Sequence, residues 1–137
     1  MNRTRDYAAP AAIVYSVIVA GVIAFQLALA AGMPWGAYAM GGAFPGAFPP
    51  AMRLAAVVQA ILLGLTAAIL LARAGVALAR WSRVAKPIAW VIACLMAVSV
   101  VLNAITPSSV ERAVWVPVTL VMLLCSPTVV LRRGSLP

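Results

Sequence analysis

Residues 51–72 read AMRLAAVVQAILLGLTAAILLA, and Arg53 is the one charge among them. An α-helix advances about 1.5 Å per residue, and ~20 apolar residues cross the ~30 Å hydrocarbon core of a bilayer. This run is long enough to do so. Three more runs of similar character lie at about 10–31, 87–105 and 112–131. In hydrocarbon a backbone must satisfy its own hydrogen bonds, so runs of this length are helices. The expected fold class is all-α: a polytopic membrane protein, one domain over 1–137, with four transmembrane helices in a bundle.

Composition points the same way. Of 137 residues, 66% are hydrophobic and 9% charged, whereas about 25% of a soluble domain is charged. Such a chain lacks the polar surface that water requires, and membrane lipid becomes its expected partner. A net charge of +8 would suit nucleic acid if the basic residues formed a groove or patch. They fall instead at the ends of apolar runs, which speaks against that class. Arg3, Arg5, Arg73, Arg80, Arg83, Lys86, Arg132 and Arg133 share one side, against Arg53 and Arg112 on the other. Basic residues stay in the cytoplasm, so the expected orientation is N-in/C-in. Trp81 and Trp90 then mark the inner boundary, and Trp35 and Trp115 the outer one. Arg3 and Arg5, the apolar run and Ala28-Leu29-Ala30 resemble a signal peptide, but the run exceeds the about 7–15 residues usual there, so it reads as a retained helix. Pro10, Pro50 and Pro87 read as helix starts, where the missing N–H costs nothing. Pro127, after Ser126, predicts a kink in the fourth helix.

Association in lipid depends on small side chains. The first helix has Ala12, Ser16, Ala20, Ala24, Ala28 and Gly32 in four-residue steps, and the second Ala56, Ala60, Gly64, Ala68 and Ala72. The third has Ala89, Ala93 and Ala97, and the fourth is bulky, with Leu123 and its neighbours expected to face lipid. Close contact is expected between the first two helices. A four-residue step drifts by about 40° on a 3.6-residue helix, so only part of each ladder meets one neighbour.

Residues 33–52, MPWGAYAMGGAFPGAFPPAM, carry no charge and hold Trp35, Tyr38, Phe44 and Phe48. The expectation is a structured apolar outer loop over 33–50, serving as a lid over a pocket or as a plug. Gln26, Arg53, Gln59, Asn103, Glu111 and Arg112 cluster toward the same side, and polar groups at membrane depth are costly and often functional. Ser108 and Glu111 match a capping box. Gln26 and Gln59 suit a mutual hydrogen bond, and Arg53 with Glu111 an ion pair. The candidate ligand-binding set is Trp35, Tyr38, Arg53, Gln59, Asn103, Glu111 and Trp115.

No catalytic set, metal site or cofactor motif emerges. The chain has no histidine, and Ser16, Ser99, Ser126, Cys94 and Cys125 have no base at their depth. Met33, Met40 and Met52 carry thioethers that suit Cu(I), yet methionine serves more often as filler. Cys94 and Cys125 share a depth and read as buried thiols. The functional expectation is a non-enzymatic accessory subunit or binder of a small apolar or lipid-like ligand at the extracytoplasmic face. The alternative is an oligomeric small-solute transporter or channel, since one four-helix protomer is too small for a generous pathway. Either setting allows a homo-oligomer or a larger membrane complex.

Pro34-Trp35-Gly36, Gly41-Gly42 and Pro50-Ala51-Met52-Arg53 resemble the loop of small four-helix integral membrane proteins of bacteria that have no assigned function. Asn103, Pro107-Ser108, Glu111-Arg112, Trp115 and Pro117 look like a second signature of that group. The resemblance implies a bacterial inner membrane and no activity, cofactor or catalytic residue. The essential first-helix carboxylate of the small multidrug exporters has no counterpart here.

Orientation has a direct test. With Cys94 and Cys125 replaced, single cysteines at positions 44 and 109 should react with a membrane-impermeant maleimide in intact cells, and one at 83 should not. Strong labelling at 83 would reverse the topology.

Overall fold

The structure, a computed structural model, describes residues 7–132. Four antiparallel helices follow one another: α1 (Ala8–Ala31), α2 (Pro50–Ala74), α3 (Ser82–Ile105) and α4 (Ser109–Val130). Each is long and apolar enough to cross a membrane. The α1–α2 and α3–α4 connections share one end, here the loop-side end. Tyr7, Arg132 and the α2–α3 connection share the other, the tail-side end.

α1 packs along α2 and α3 along α4, and α1 also packs against α4. The tight α1–α2 pair is present, but the fourth helix is no outlier. The bulky side chains of α4 are knobs for the small residues opposite them. Met122, Val129 and Val130 are buried with Ala12 of α1, Ala67 and Ala74 of α2, and Ala89 of α3. Leu123, expected to face lipid, packs against this core, and Leu124 points outward instead at 64% exposure. The alanine ladders turn as helical drift requires: Ala20, Ala24 and Ala97 are exposed, whereas Tyr15, Val19 and Met96 take the inward positions. On α2 the run from Ala56 and Ala60 stays inside, and a methyl at Gly64 would lie 3.8 Å from Ile23 on α1. Cys94 is exposed and Cys125 half-buried, so the two thiols do not share one buried site.

Helix ends explain the boundaries. α1 and α2 both stop at a glycine in the left-handed region, Gly32 (φ 102°) and Gly75 (φ 74°). In each, the glycine N–H and the one after it donate back into the last turn, Met33 to Ala28 at 3.0 Å and Val76 to Leu71 at 3.0 Å. Pro50 opens α2, as its fixed φ favours. Pro87 does not open α3. The 3-10 turn Ala79–Trp81 leads straight into Ser82, which leaves Pro87 in the second turn and the Arg83 carbonyl without its helical donor. α4 begins at Ser109, ahead of position 112, because Ser108 Oγ accepts from the Glu111 N–H at 3.2 Å. α4 continues through both Pro117 and Pro127.

The tail-side end is tied by two arginines that cap each other's helices. Arg73, in the last turn of α2 and only 5% exposed, donates to the carbonyls of Val130 (3.2 Å) and Arg132 past the end of α4. Arg132 in turn donates to the Arg73 carbonyl at 3.0 Å. Ser82 at the start of α3 joins through its hydroxyl, donating to the Arg73 carbonyl at 3.2 Å. The C-terminal carbonyls of a helix lack partners within it and carry partial negative charge, so a cation there stabilises both helices. Arg132 lies so close over Gly75 that a Cβ there would meet Nη1 at 2.7 Å.

Arg73 and Arg83 look alike as basic residues of one connection, yet only Arg73 is buried. Removing a donor from buried carbonyls costs about 1–3 kcal/mol. Arg73→Met should therefore destabilise the protein by that order in a reversible unfolding assay, with Arg83→Met close to neutral. Equal stability of the two variants would contradict the clasp.

Candidate functional site

At the loop-side end the connections build a roof. Residues 32–49 fold into two 3-10 turns, Gly36–Tyr38 and Met40–Gly42. The Gly36 N–H donates to the Gly46 carbonyl at 2.9 Å. A Cβ on Gly36 would fall 1.8 Å from the Phe44 carbonyl oxygen, so only glycine fits this crossing. Two side chains of the α3–α4 corner stitch the roof down: Ser108 Oγ donates to the Ala37 carbonyl at 3.1 Å, and Trp115 Nε1 to the Tyr38 carbonyl at 2.6 Å. Phe48 is buried between the ends of α1 and α2, against Leu29 and Ala56, with the Phe44 ring edge-on at 6.2 Å. Phe25 of α1 stacks on Trp35 at 6.2 Å and meets Trp115 edge-on at 5.0 Å. Offset and edge-on pairs of this kind add to simple burial.

Beneath this roof lies a partly open cavity of about 580 Å³. On α2 it runs from Met52 to Leu63, a rise of about 16 Å. It therefore reaches the middle of the bundle. Leu63, Met96 and Met122 lie at its deep end and belong to the packed core of the tail-side half. Just beyond, the fully buried Tyr15 donates to Thr66 Oγ1 at 3.0 Å and approaches Met96 Sδ at 3.8 Å. The bundle is thus hollow in one half and filled in the other.

All four helices bring polar groups to the cavity: Gln26 from α1, Gln59 from α2, Ser99 and Asn103 from α3, Glu111 and Thr119 from α4. Gln26 and Gln59, expected to bond each other, both line the cavity, and neither amide has a hydrogen-bond partner among the described residues. Asn103 lies inside α3, which continues to Ile105; its amide donates to the Ser99 carbonyl at 2.8 Å, leaving the amide oxygen available. Glu111 completes only half of a capping box. Its backbone N–H is capped by Ser108, but its carboxylate accepts from Thr106 Oγ1 at 3.1 Å.

Of the seven candidate residues, Gln59, Asn103, Glu111 and Trp115 line this cavity. Trp35, Tyr38 and Arg53 do not. Trp35 and Tyr38 are 39% exposed on the roof, and Tyr38 contributes its backbone carbonyl to Trp115. Arg53 makes no ion pair with Glu111. Its Nε donates to the Phe48 carbonyl at 2.8 Å and its guanidinium covers Gly32, because a carbonyl five residues back lies closer than the carboxylate across the bundle. Phe25, Ser99, Thr119, Met96 and Met122 join the lining without having been singled out as ligand contacts, as do Met40 and Met52, which had been weighed only as thioether ligands for Cu(I). For Ser99 and Thr119 the signal was that every helix carries an uncharged polar residue toward the loop-side end. Glu111 is the only charged side chain on the wall, and it is 9% exposed.

The arrangement suits binding of a molecule with an apolar body and a polar head. Thioethers and aromatic rings adapt to an apolar shape, and the free amides offer donors and acceptors. Among the described residues no group of three or more histidine, cysteine, aspartate or glutamate side chains converges. No protein-family model, curated protein or solved structure matches this chain.

Proposed function

We propose that this chain is a multi-pass protein of a bacterial inner membrane that binds a small apolar or lipid-like ligand at its extracytoplasmic face and catalyses no reaction. The observation that carries the reading is the hollow loop-side half, with two unpartnered glutamine amides on its wall. Gln26 is half-buried and Gln59 exposed, and a bound head group would offer both amides hydrogen bonds. The volume, about 580 Å³, lies within the ~300–1,000 Å³ typical of ligand pockets.

Topology supports the placement of that face. Arg73, Arg80, Arg83, Lys86 and Arg132 belong to the tail-side end, and Arg53 and Arg112 to the loop-side end. Retention of basic residues in the cytoplasm orients the cavity outward. The bacterial assignment rests on the resemblance of the loop and corner motifs alone. A binder needs no path through the filled half, whereas a transporter must open one around its site. Tyr15, Leu70 and the alanines beside them occupy that path, which favours binding over transport.

Native mass spectrometry from mild detergent tests the reading. The wild-type protein should retain one lipid-like adduct per protomer. Thr119→Phe, which places a ring in the cavity, should lose it while remaining folded. Gln26→Leu and Gln59→Leu should each weaken retention by about tenfold, the equivalent of one hydrogen bond. An adduct held equally by wild type and Thr119→Phe would overturn the cavity as the site, and saturable solute uptake into vesicles would shift the assignment to transport.

A further inference from the structure

Resting on the cavity reading, we propose that the ligand is an amphipathic cation, an alkyl or aryl ammonium whose charge pairs with Glu111 beneath the aromatic roof. The argument begins with charge. Glu111 is the only carboxylate among the described residues and the only charged side chain lining the cavity. It is 9% exposed, and one oxygen accepts from Thr106 while the other has no partner among the described residues. A carboxylate in such a setting gains most from a nearby positive charge.

The two arginines able to supply that charge are engaged elsewhere. Arg112, adjacent in sequence, donates through Nη1 to the Thr106 carbonyl at 2.7 Å and is exposed. Arg53 donates to the Phe48 carbonyl at 2.8 Å. Neither lines the cavity. An anionic head group would therefore meet a carboxylate and no cation, whereas an ammonium would meet its counter-charge.

The surroundings fit the same class. Trp115 and Phe25 form an edge-on pair with centroids 5.0 Å apart, and both face the cavity with Glu111. Aromatic faces attract cations, tryptophan most strongly. An ammonium also brings three donors and no acceptor. The carbonyl oxygens of Gln26, Gln59 and Asn103 are suitable acceptors on the same wall, and Met96 and Met122 receive the apolar tail at the deep end.

The test uses three probes with one chain length: decylammonium, decanol and decanoate at pH 7, measured by equilibrium dialysis against the full-length protein in mild detergent. Decylammonium should bind at least tenfold more tightly than decanol, and decanoate more weakly than either. Glu111→Gln keeps an acceptor for Thr106 and should erase the preference for decylammonium over decanol. Glu111→Asp should keep the preference. Equal affinity for all three probes in wild type would overturn the cationic ligand and leave the cavity reading standing. A preference that survives Glu111→Gln would remove Glu111 from the site. If none of the three probes binds, both readings fall. Should Glu111→Gln not fold, the wild-type comparison and Glu111→Asp still decide.

Discussion

Carbonyl groups at the ends of α2 and α4 have no donors within their own helices, and a reciprocal arginine clasp supplies donors across the bundle. Arg73 reaches the end of α4 and Arg132 reaches the end of α2. Two cations so close repel, and each is offset by the partial negative charge of a helix C-terminus. The clasp brings the tail-side backbones together, where Ala12, Ala67, Ala74 and Ala89 leave room for Tyr15, Leu70 and Val129 to fill the centre. With the centre of that half full, the larger free volume lies at the other end, and the tail-side half keeps a smaller apolar groove of about 240 Å³ between α2 and α3.

At the loop-side end the same kind of residue acts differently. Arg53 also covers a helix-terminating glycine, Gly32, and also bonds a carbonyl, that of Phe48. It binds α2 to the roof, however, not to the opposite helices. The roof is fixed to α4 through Ser108 and Trp115, and Phe48 fills the gap between α1 and α2 only. Nothing large enters the centre from Gln26, Gln59, Ser99 or Asn103, so a cavity persists where polar groups from four helices converge.

The parts of this architecture that were legible in the sequence are those written locally. Twenty-residue apolar runs become helices because hydrocarbon leaves the backbone no other arrangement, and Pro50 and Ser108 mark starts through their own backbone and side-chain chemistry, whereas Gly32, read as a rung of the packing ladder, proved to be the end of α1. The start of α3 was not legible, because Pro87 is equally compatible with the first turn and, once Ala79–Trp81 has turned into Ser82, with the second. Arg73 read as one more cytoplasmic charge, since its partner lies 59 residues away. Leu123 and Leu124 are chemically identical neighbours, and only the rotation of α4 separates inside from outside. In the site, Gln59, Asn103, Glu111 and Trp115 stood out as polar or amphipathic residues near one end. The pairings drawn from them, Gln26 with Gln59 and Arg53 with Glu111, failed because a free volume and a nearby carbonyl compete for the same groups.

The central claim is that the space under the roof receives a ligand. The most direct measurement is quenching of a single tryptophan by a brominated alkylammonium. Trp115 borders the cavity, whereas Trp90 is 44% exposed on the outside of the bundle. In protein that keeps only Trp115, the account predicts quenching that saturates at one probe per protomer. In protein that keeps only Trp90, quenching should rise without saturating. Unsaturable quenching of equal strength at both positions would contradict a bound ligand in the cavity.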